Sequence, residues 1–229
     1  MSLHIGIVAC STEGAALCYR SISLEGSQIM GRHDHPELSL HSHSLAKYMR
    51  YVYARDWAGM AELMLSSAEK LARAGADFLI CPDNTIHQAL PEVLPSSPLP
   101  WLHIAEEVGA EAKRRNFRKI GITGTKFLTR SAVYPEKLEA LGVRYATPTE
   151  AQQERINEII FDELVRDRRE PESLGYFQAV IEEFKSNGCD AVVLGCTEIP
   201  LLVNDANSPL PTLDSTRILA RAALRHALD

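Results

Sequence analysis

The sequence predicts an α/β fold built from two related halves, each with a parallel β-sheet covered by helices. Short apolar runs alternate along the chain with amphipathic helical patterns, which is typical of parallel sheets with helical crossovers. The same succession of helix, glycine, aspartate, strand and polar turn also occurs twice, because residues 75–85 align without gaps on residues 188–198. The chain has 229 residues, of which 45% are hydrophobic, so each half can bury its own core.

In the first half, residues 4–9 form an apolar strand that contains Ile-Gly-Ile. A helix is predicted over residues 57–74, because apolar side chains recur there at spacings of three and four. Gly75 follows where a helix C-cap needs a left-handed residue. Residues 77–81 are a short, nearly continuous apolar run, which indicates a buried parallel strand.

The second half repeats this order. Residues 119–124 again contain Ile-Gly-Ile, residues 177–184 form a helix face, and residues 191–194 form the apolar strand. In such sheets, ligands bind beyond the carboxyl ends of the strands. We therefore expect two pseudo-symmetric halves that face each other across a cleft.

The domain boundaries are predicted from proline-rich segments. Four prolines in residues 91–100 mark a first crossover, and residues 204–211 mark a second. The final helix, over residues 216–228, is expected to return to the first half. The predicted domains are therefore residues 1–98 plus 212–229, and residues 99–211.

Composition excludes several functional classes. The net charge is −6 and Lys and Arg form no long runs, which argues against a nucleic-acid or anionic-membrane partner. No apolar stretch approaches the roughly 20 residues that span a bilayer. The N-terminal residues do not resemble an export signal, and five scattered cysteines without a CxxC pair disfavour a disulfide framework or structural zinc. We expect a cytoplasmic protein with free thiols.

The internal repeat makes Asp83 the counterpart of Cys196. Both are predicted to follow a strand directly, where backbone N–H groups and a helix dipole favour a carboxylate and lower a thiol's pKa. A second alignment of the two halves pairs Cys81 with Cys196, but it no longer aligns the glycines and aspartates before the two strands. Cys81 is therefore expected to pack in the core. Two acid/base groups on opposite faces of one carbon are what inversion of a stereocentre requires.

The segments around these residues resemble a known family. Residues 81–87 (Cys-Pro-Asp-Asn-Thr-Ile-His) and 194–199 (Leu-Gly-Cys-Thr-Glu-Ile) are similar to the paired signatures of the aspartate/glutamate racemases. The resemblance covers most of the chain, including residues 155–161. It departs at Asp83, where the family usually has its first catalytic cysteine, and at residues 10–14, where the family usually has a Gly-Gly-Met turn.

The resemblance implies an amino-acid racemase or epimerase that works without pyridoxal phosphate, other cofactors or metal. It implies two flavodoxin-like, three-layer domains with the active site in the cleft, an amino acid or small carboxylic acid as substrate, and a homodimer. Asp83 and Cys196 are the expected catalytic pair. The expected substrate-binding residues are Ser11, Asn84, Thr85, Thr125, Thr129, Arg155, Thr197 and Glu198.

Several alternatives stay open. A carboxylate is a weaker base than a thiolate, so Asp83 predicts unequal half-reactions. An isomerase or decarboxylase could use Cys196 alone, as in a maleate isomerase-like reaction, and a non-catalytic small-molecule binding protein is also compatible. Arg50, Lys126, Arg130 and Arg155 could each meet an acidic substrate side chain. The histidines between residues 33 and 43 are expected in a solvated loop rather than in a metal site.

Overall fold

The computed structural model describes residues 2–229 and confirms an α/β protein with parallel sheets flanked by helices. The chain divides into two compact units, Met1–Glu107 with Thr216–Asp229, and Val108–Ser215. Within residues 2–229, no helix is both long enough and apolar enough to cross a membrane.

The first unit contains a three-stranded parallel sheet. Its elements are β1 (Ile5–Ala9), α1 (Thr12–Met30), β2 (Leu38–Ser42), α2 (Leu45–Ala54), α3 (Trp57–Arg73), β3 (Phe78–Ile80), α4 (Leu90–Val93) and the start of α5 (Ile104–Arg114), and α10 (Ser215–Leu228) returns to it. The rest of α5, from Val108, belongs to the second unit. The strand order is β2-β1-β3. Every residue of β1 is buried, and Ile5 and Ile7 pack in one core cluster with Ile22 of α1 and Leu219 of α10.

The second unit contains a four-stranded parallel sheet in the order β5-β4-β6-β7. Its elements are β4 (Lys119–Thr123), α6 (Lys126–Thr129), α7 (Val133–Ala140), β5 (Arg144–Ala146), α8 (Glu150–Glu158), α9 (Pro171–Ser186), β6 (Ala191–Leu194) and β7 (Thr212–Asp214). A π-helical turn, Ile159–Glu163, directly continues α8. Gly121 is needed in β4 because a Cβ there would collide with the ring of Phe184 from α9.

The two units repeat the same strand pairing. β1 and β4 are the central strands, β2 and β5 lie on one side of them, and β3 and β6 lie on the other. Even a loop contact is repeated, because the Leu79 N–H donates to the Pro100 carbonyl at 2.8 Å and the Val192 N–H donates to the Pro211 carbonyl at 3.0 Å. The internal repeat of the sequence therefore corresponds to a repeated topology.

One sequence-based expectation is wrong. His41 was expected in a solvated loop but lies in β2, where it pairs with Val8 of β1. β2 has the mixed sequence Leu-Ser-Leu-His-Ser and only partial burial, as an edge strand does. Its side chains therefore carry no continuous apolar signal that would identify a strand.

Candidate active site

In each unit, two adjacent strands end beside each other and lead into polar segments. In the first unit Ile7 pairs with Ile80, so the segments after β1 and β3 leave the sheet together. In the second unit Thr123 pairs with Leu194, so the segments after β4 and β6 do the same. These are the edges at which parallel sheets hold their ligands.

Asp83 is fixed by the backbone that leads into α1. Its carboxylate accepts hydrogen bonds from the backbone N–H of Ser11 at 3.2 Å and from that of Cys10 at 3.3 Å. Ser11 is also the N-cap of α1, and its hydroxyl accepts from the Gly14 N–H at 3.2 Å. Asp83 is only 8% exposed. The negative charge therefore lies at the positive end of a 19-residue helix, which stabilises it.

His87 fixes the backbone of Asp83. Its Nε2 accepts from the Ile104 N–H at 3.3 Å, so its Nδ1 carries the proton and donates to the Asp83 carbonyl at 3.0 Å. The ring is buried. Asn84 and Thr85 follow Asp83 at the start of a 3-10 turn, and Asn84 is almost fully buried. Asp83 is thus held at its carboxylate by the Ser11 N–H and at its carbonyl by His87.

Cys81 is placed for packing. It is fully buried, and its sulfur lies 3.9 Å from the Asp83 carbonyl. Burial, and then the negative charge of Asp83, raise the pKa of the Cys81 thiol well above its ordinary value. The thiolate that nucleophilic or base chemistry requires is therefore disfavoured at this position.

Cys196 is partly exposed and has a carboxylate as its acceptor. Its thiol donates to Oε2 of Glu198 at 3.0 Å, and the Thr197 hydroxyl donates to the same oxygen at 2.7 Å. Glu198 and Thr197 are both buried. A thiol hydrogen-bonded to a buried carboxylate can transfer its proton without solvent, so this triplet can supply a thiolate base or nucleophile.

Thr125 and Thr129 lie at the neighbouring strand end. The Gly195 N–H donates to the Thr123 carbonyl at 3.0 Å, which continues the β4–β6 pairing towards Thr125. The Thr125 hydroxyl caps α6 by accepting from the Leu128 N–H at 3.2 Å, and the Thr129 hydroxyl donates to the Thr125 carbonyl at 3.2 Å. Both threonines are buried, and their role in substrate binding stays a prediction.

Arg155 is held by two carboxylates. Its guanidinium lies 3.2 Å from Glu158 and 3.6 Å from Glu163, and its side chain is 44% exposed. Glu163 ends the π-helical turn, and its second oxygen accepts from the Ser173 hydroxyl at 2.5 Å. Glu163 and Ser173 are not recognisable from the sequence, because no local pattern marks a π turn.

Lys126 and Arg130 share one acidic partner. Glu154 lies 2.8 Å from the Lys126 ammonium and 2.9 Å from the Arg130 guanidinium, and Arg130 also donates to Gln153 at 2.7 Å. These two cations hold the pKa of Glu154 below its ordinary value, chiefly through the Lys126 hydrogen bond. Both are therefore compensated inside the second unit.

The structure groups the predicted site residues into two sets. Ser11, Asp83, Asn84 and Thr85 belong to the first unit, and Thr125, Thr129, Arg155, Thr197 and Glu198 join Cys196 in the second. The pairing of Asp83 with Cys196 stays a prediction. Within residues 2–229, no cluster of three or more His, Cys, Asp or Glu side chains could hold a metal ion.

The chain is similar in sequence and in fold to known proteins. The sequence profile described as Asp/Glu/Hydantoin racemase matches residues 7–223. The broad specificity amino-acid racemase RacX of Bacillus subtilis (strain 168) is 25% identical over 194 residues, which are 83% of this chain and 82% of that protein. A Yersinia pestis protein described provisionally as an Asp/Glu racemase superposes with a TM-score of 0.91 and 29% identity, covering 99% of this chain and 100% of that one. An aspartate racemase homologue from Pyrococcus horikoshii OT3 gives a TM-score of 0.83 and 27% identity, covering 99% of each.

Proposed function

Because the chain belongs to the Asp/Glu/Hydantoin racemase family, we propose that it interconverts L- and D-amino acids by acid/base proton transfer at the α-carbon, without pyridoxal phosphate. The observation that carries this proposal is the equivalence of two positions. Asp83 follows β3 and Cys196 follows β6, and these strands hold the same place in their sheets. Each position presents a side chain that can accept and return a proton.

The two groups have different chemical tasks in this proposal. Cys196 passes its proton to Glu198 and then removes the α-proton as a thiolate. Asp83 serves the opposite face of the carbon: in its protonated form it supplies the proton that replaces the one taken by Cys196, and as the anion held by the Ser11 N–H it removes the α-proton of the other enantiomer. Because a carboxylate is the weaker base, we expect the direction that begins at Asp83 to be the slower one.

Substrate recognition is assigned to the polar groups around these two positions. Hydroxyl, amide and backbone N–H groups are suited to an amino acid's carboxylate and ammonium groups, and Arg155 can bind a carboxylate in bidentate fashion. The residues assigned to binding are Ser11, Asn84, Thr85, Thr125, Thr129, Arg155, Thr197 and Glu198. A homodimer in the cytoplasm is proposed on the family resemblance, and sedimentation velocity tests the dimer.

The test is incubation of L- and D-amino acids in heavy water with purified protein and no added cofactor. Proton NMR follows the α-proton signal, and chiral chromatography follows inversion. We expect deuterium at the α-carbon with the wild type, whereas Cys196→Ala should show no inversion and no exchange of the enantiomer that Cys196 deprotonates. Cys189→Ala is the matched control, because Cys189 is a buried cysteine before β6 rather than after it. Absence of exchange with every amino acid would refute the proposal.

A second candidate function is favoured by the Cys196–Glu198 contact alone. A thiol with its own carboxylate base can add to an unsaturated diacid, allow rotation about the former double bond, and leave again. Conversion of maleate to fumarate by both wild type and Asp83→Asn, without exchange of any amino acid, would support this isomerase instead.

A further inference from the structure

A group of polar side chains in the first unit is not used by the mechanism above. Tyr48 lies on α2, Ser67 on α3 and His41 on β2. Ser67 Oγ and His41 Nδ1 share a hydrogen bond of 2.9 Å. Tyr48 and Ser67 are completely buried, whereas His41 is partly exposed. The group therefore runs from the interior of the unit towards its surface.

The Tyr48 hydroxyl is the unusual member. Among residues 2–229, its oxygen makes no hydrogen bond of ordinary distance and angle, although the whole side chain is buried and Ser67 lies close enough to lower its pKa. Buried polar groups are nearly always hydrogen-bonded, because desolvation without a partner is costly, and exceptions often mark a functional group or an ordered water. A phenylalanine would fill the same space without that cost.

The surroundings of this hydroxyl connect it with the candidate active site. Burial, and then Cys81 and Cys10, raise the pKa of Tyr48; the Ser67 hydroxyl lowers it, and Asp83 adds a smaller increase, so the phenol keeps its proton. The phenol O–H can therefore donate one hydrogen bond while its oxygen accepts another.

The register of the first sheet places His41 and Cys81 on the same face of that sheet. His41 pairs with Val8, and the pairing of Ile7 with Ile80 brings Cys81 level with Val8 on the other side of β1. Residues at the same level of parallel strands point to the same face of a sheet. Ser67 reaches His41 from α3, so α3 covers this face, and Asp83 follows two residues after Cys81.

His41 has the properties of a group that exchanges protons with solvent. Burial, followed by the positive charge of Lys70, lowers the pKa of His41, so the ring is neutral near pH 7. A neutral ring can accept at Nδ1 while it carries a proton at Nε2. His43 packs edge-on against it, with ring centroids 4.7 Å apart.

We propose that Tyr48, Ser67 and His41 form a proton relay between Asp83 and solvent. Protonated Asp83 donates its proton to the Tyr48 oxygen while the Tyr48 proton moves to Ser67 Oγ and the Ser67 proton moves to His41 Nδ1. The imidazolium releases its Nε2 proton to water. Each hydroxyl gains one proton and loses one, and a side-chain rotation or an ordered water closes the gap at Tyr48. The role of Asp83 in this relay rests on the proposed function.

The path to solvent is tested without substrate. In protein labelled with ¹³C at tyrosine Cζ, in an equal mixture of H₂O and D₂O, a slowly exchanging hydroxyl gives two Cζ lines and a rapidly exchanging one gives a single line. We expect a single line for Tyr48, assigned with Tyr48→Phe, although its hydroxyl is buried. Tyr134, which is also buried and hydrogen-bonded to Ser215, is the internal reference for slow exchange.

Ser67→Ala should split the Tyr48 line, whereas Ser66→Ala should leave it single, because Ser66 contacts Lys70 and not His41. The Tyr134 lines report whether each variant is folded, and His41→Gln replaces Ser67→Ala if the latter does not fold. Two Tyr48 lines in the wild type, or a single line in Ser67→Ala, would overturn the relay.

The connection to Asp83 is tested with an amino acid that the wild type exchanges in heavy water. Two rates are compared for the enantiomer that Asp83 deprotonates: deuterium uptake into substrate recovered without inversion, and inversion itself. Tyr48→Phe should lower the ratio of the first rate to the second about tenfold. Tyr53→Phe, at an exposed residue of α2, should change neither rate. An equal loss of both rates in Tyr48→Phe would indicate a structural role only. Lack of exchange by the wild type would refute the proposed function and this connection, but not the Tyr48 line shapes.

Discussion

Replacement of Asp83 by Asn keeps the size of the side chain and removes its charge and one acceptor. The native carboxylate receives two backbone donors, the N–H groups of Cys10 and Ser11, at 3.2–3.3 Å. An amide has one oxygen, so its NH₂ group must face at least one N–H in a buried site. With its oxygen at the Oδ2 position, asparagine still accepts from both N–H groups, but its NH₂ group faces the Ser11 N–H and the bonds to a charged acceptor are lost. Since hydrogen bonds to a neutral oxygen are weaker than those to a carboxylate, we expect the free energy of unfolding to fall by about 1–2 kcal/mol.

Asp77→Asn is the matched control for this variant. Asp77 lies at the other end of β3 and accepts the His4 N–H through one oxygen at 2.7 Å, at an exposed position. An asparagine retains that acceptor, so we expect a loss of only about 0.5–1 kcal/mol. Urea unfolding followed by tryptophan fluorescence measures both variants in the relevant unit, because Trp57 and Trp101 both belong to it.

The same variant tests the chemistry. Loss of a general base should reduce α-proton exchange of one enantiomer by about 10²–10⁴-fold in Asp83→Asn, and should leave it unchanged in Asp77→Asn. If Asp83→Asn were as stable as the wild type, the reasoning on the α1 contacts would be wrong. If it exchanged both enantiomers at full rate, Asp83 would have no acid/base role.

Three further predictions concern other parts of the chain. Glu198→Gln removes the charge that accepts the neighbouring thiol proton, so α-proton exchange in heavy water should fall about 10²-fold, and a wild-type rate would contradict this role. Gly195→Ala places a methyl group 2.5 Å from a backbone carbonyl of β4 and should cost about 1–3 kcal/mol in urea unfolding. Gly175→Ala, in α9, meets no atom within 4 Å and should instead stabilise by about 0.5–1 kcal/mol; the same sign for both would refute the packing argument. Burial lowers the pKa of His41 below 6.5, so the unfolded chain takes up this proton first as pH falls. The free energy of unfolding should therefore decline as the pH falls from 6.5 to the lower pKa that His41 has in the folded chain. In thermal melts at a series of pH values, His41→Gln should reduce the change in melting temperature over this range.

The sequence was sufficient where signals are local. β3 and β6 are apolar runs preceded by helix-ending glycines, and they were predicted together with the positions of Asp83 and Cys196 after them. β2, β5 and β7 were missed, because short strands with partly exposed or polar residues lack both an apolar run and a clear alternation.

Within the candidate site, residue types were predicted but contacts were not. The thiol–carboxylate contact of Cys196 with Glu198 joins residues that are two apart, so it is local in the sequence. The contact between Asp83 and the Ser11 N–H joins residues 72 apart and depends on the pairing of two strands. No spacing rule gives such a contact, because it is created by tertiary structure.

The two roles of Ser11 limit which amino acids can replace it. Its hydroxyl begins α1 and its N–H holds the Asp83 carboxylate, so helix initiation and the placement of an acid group depend on one residue. Aspartate is in general an equally good N-cap residue, but at position 11 it would place a second negative charge beside the carboxylate of Asp83. Substitution here is therefore constrained by electrostatic repulsion, and threonine or asparagine is the tolerated replacement.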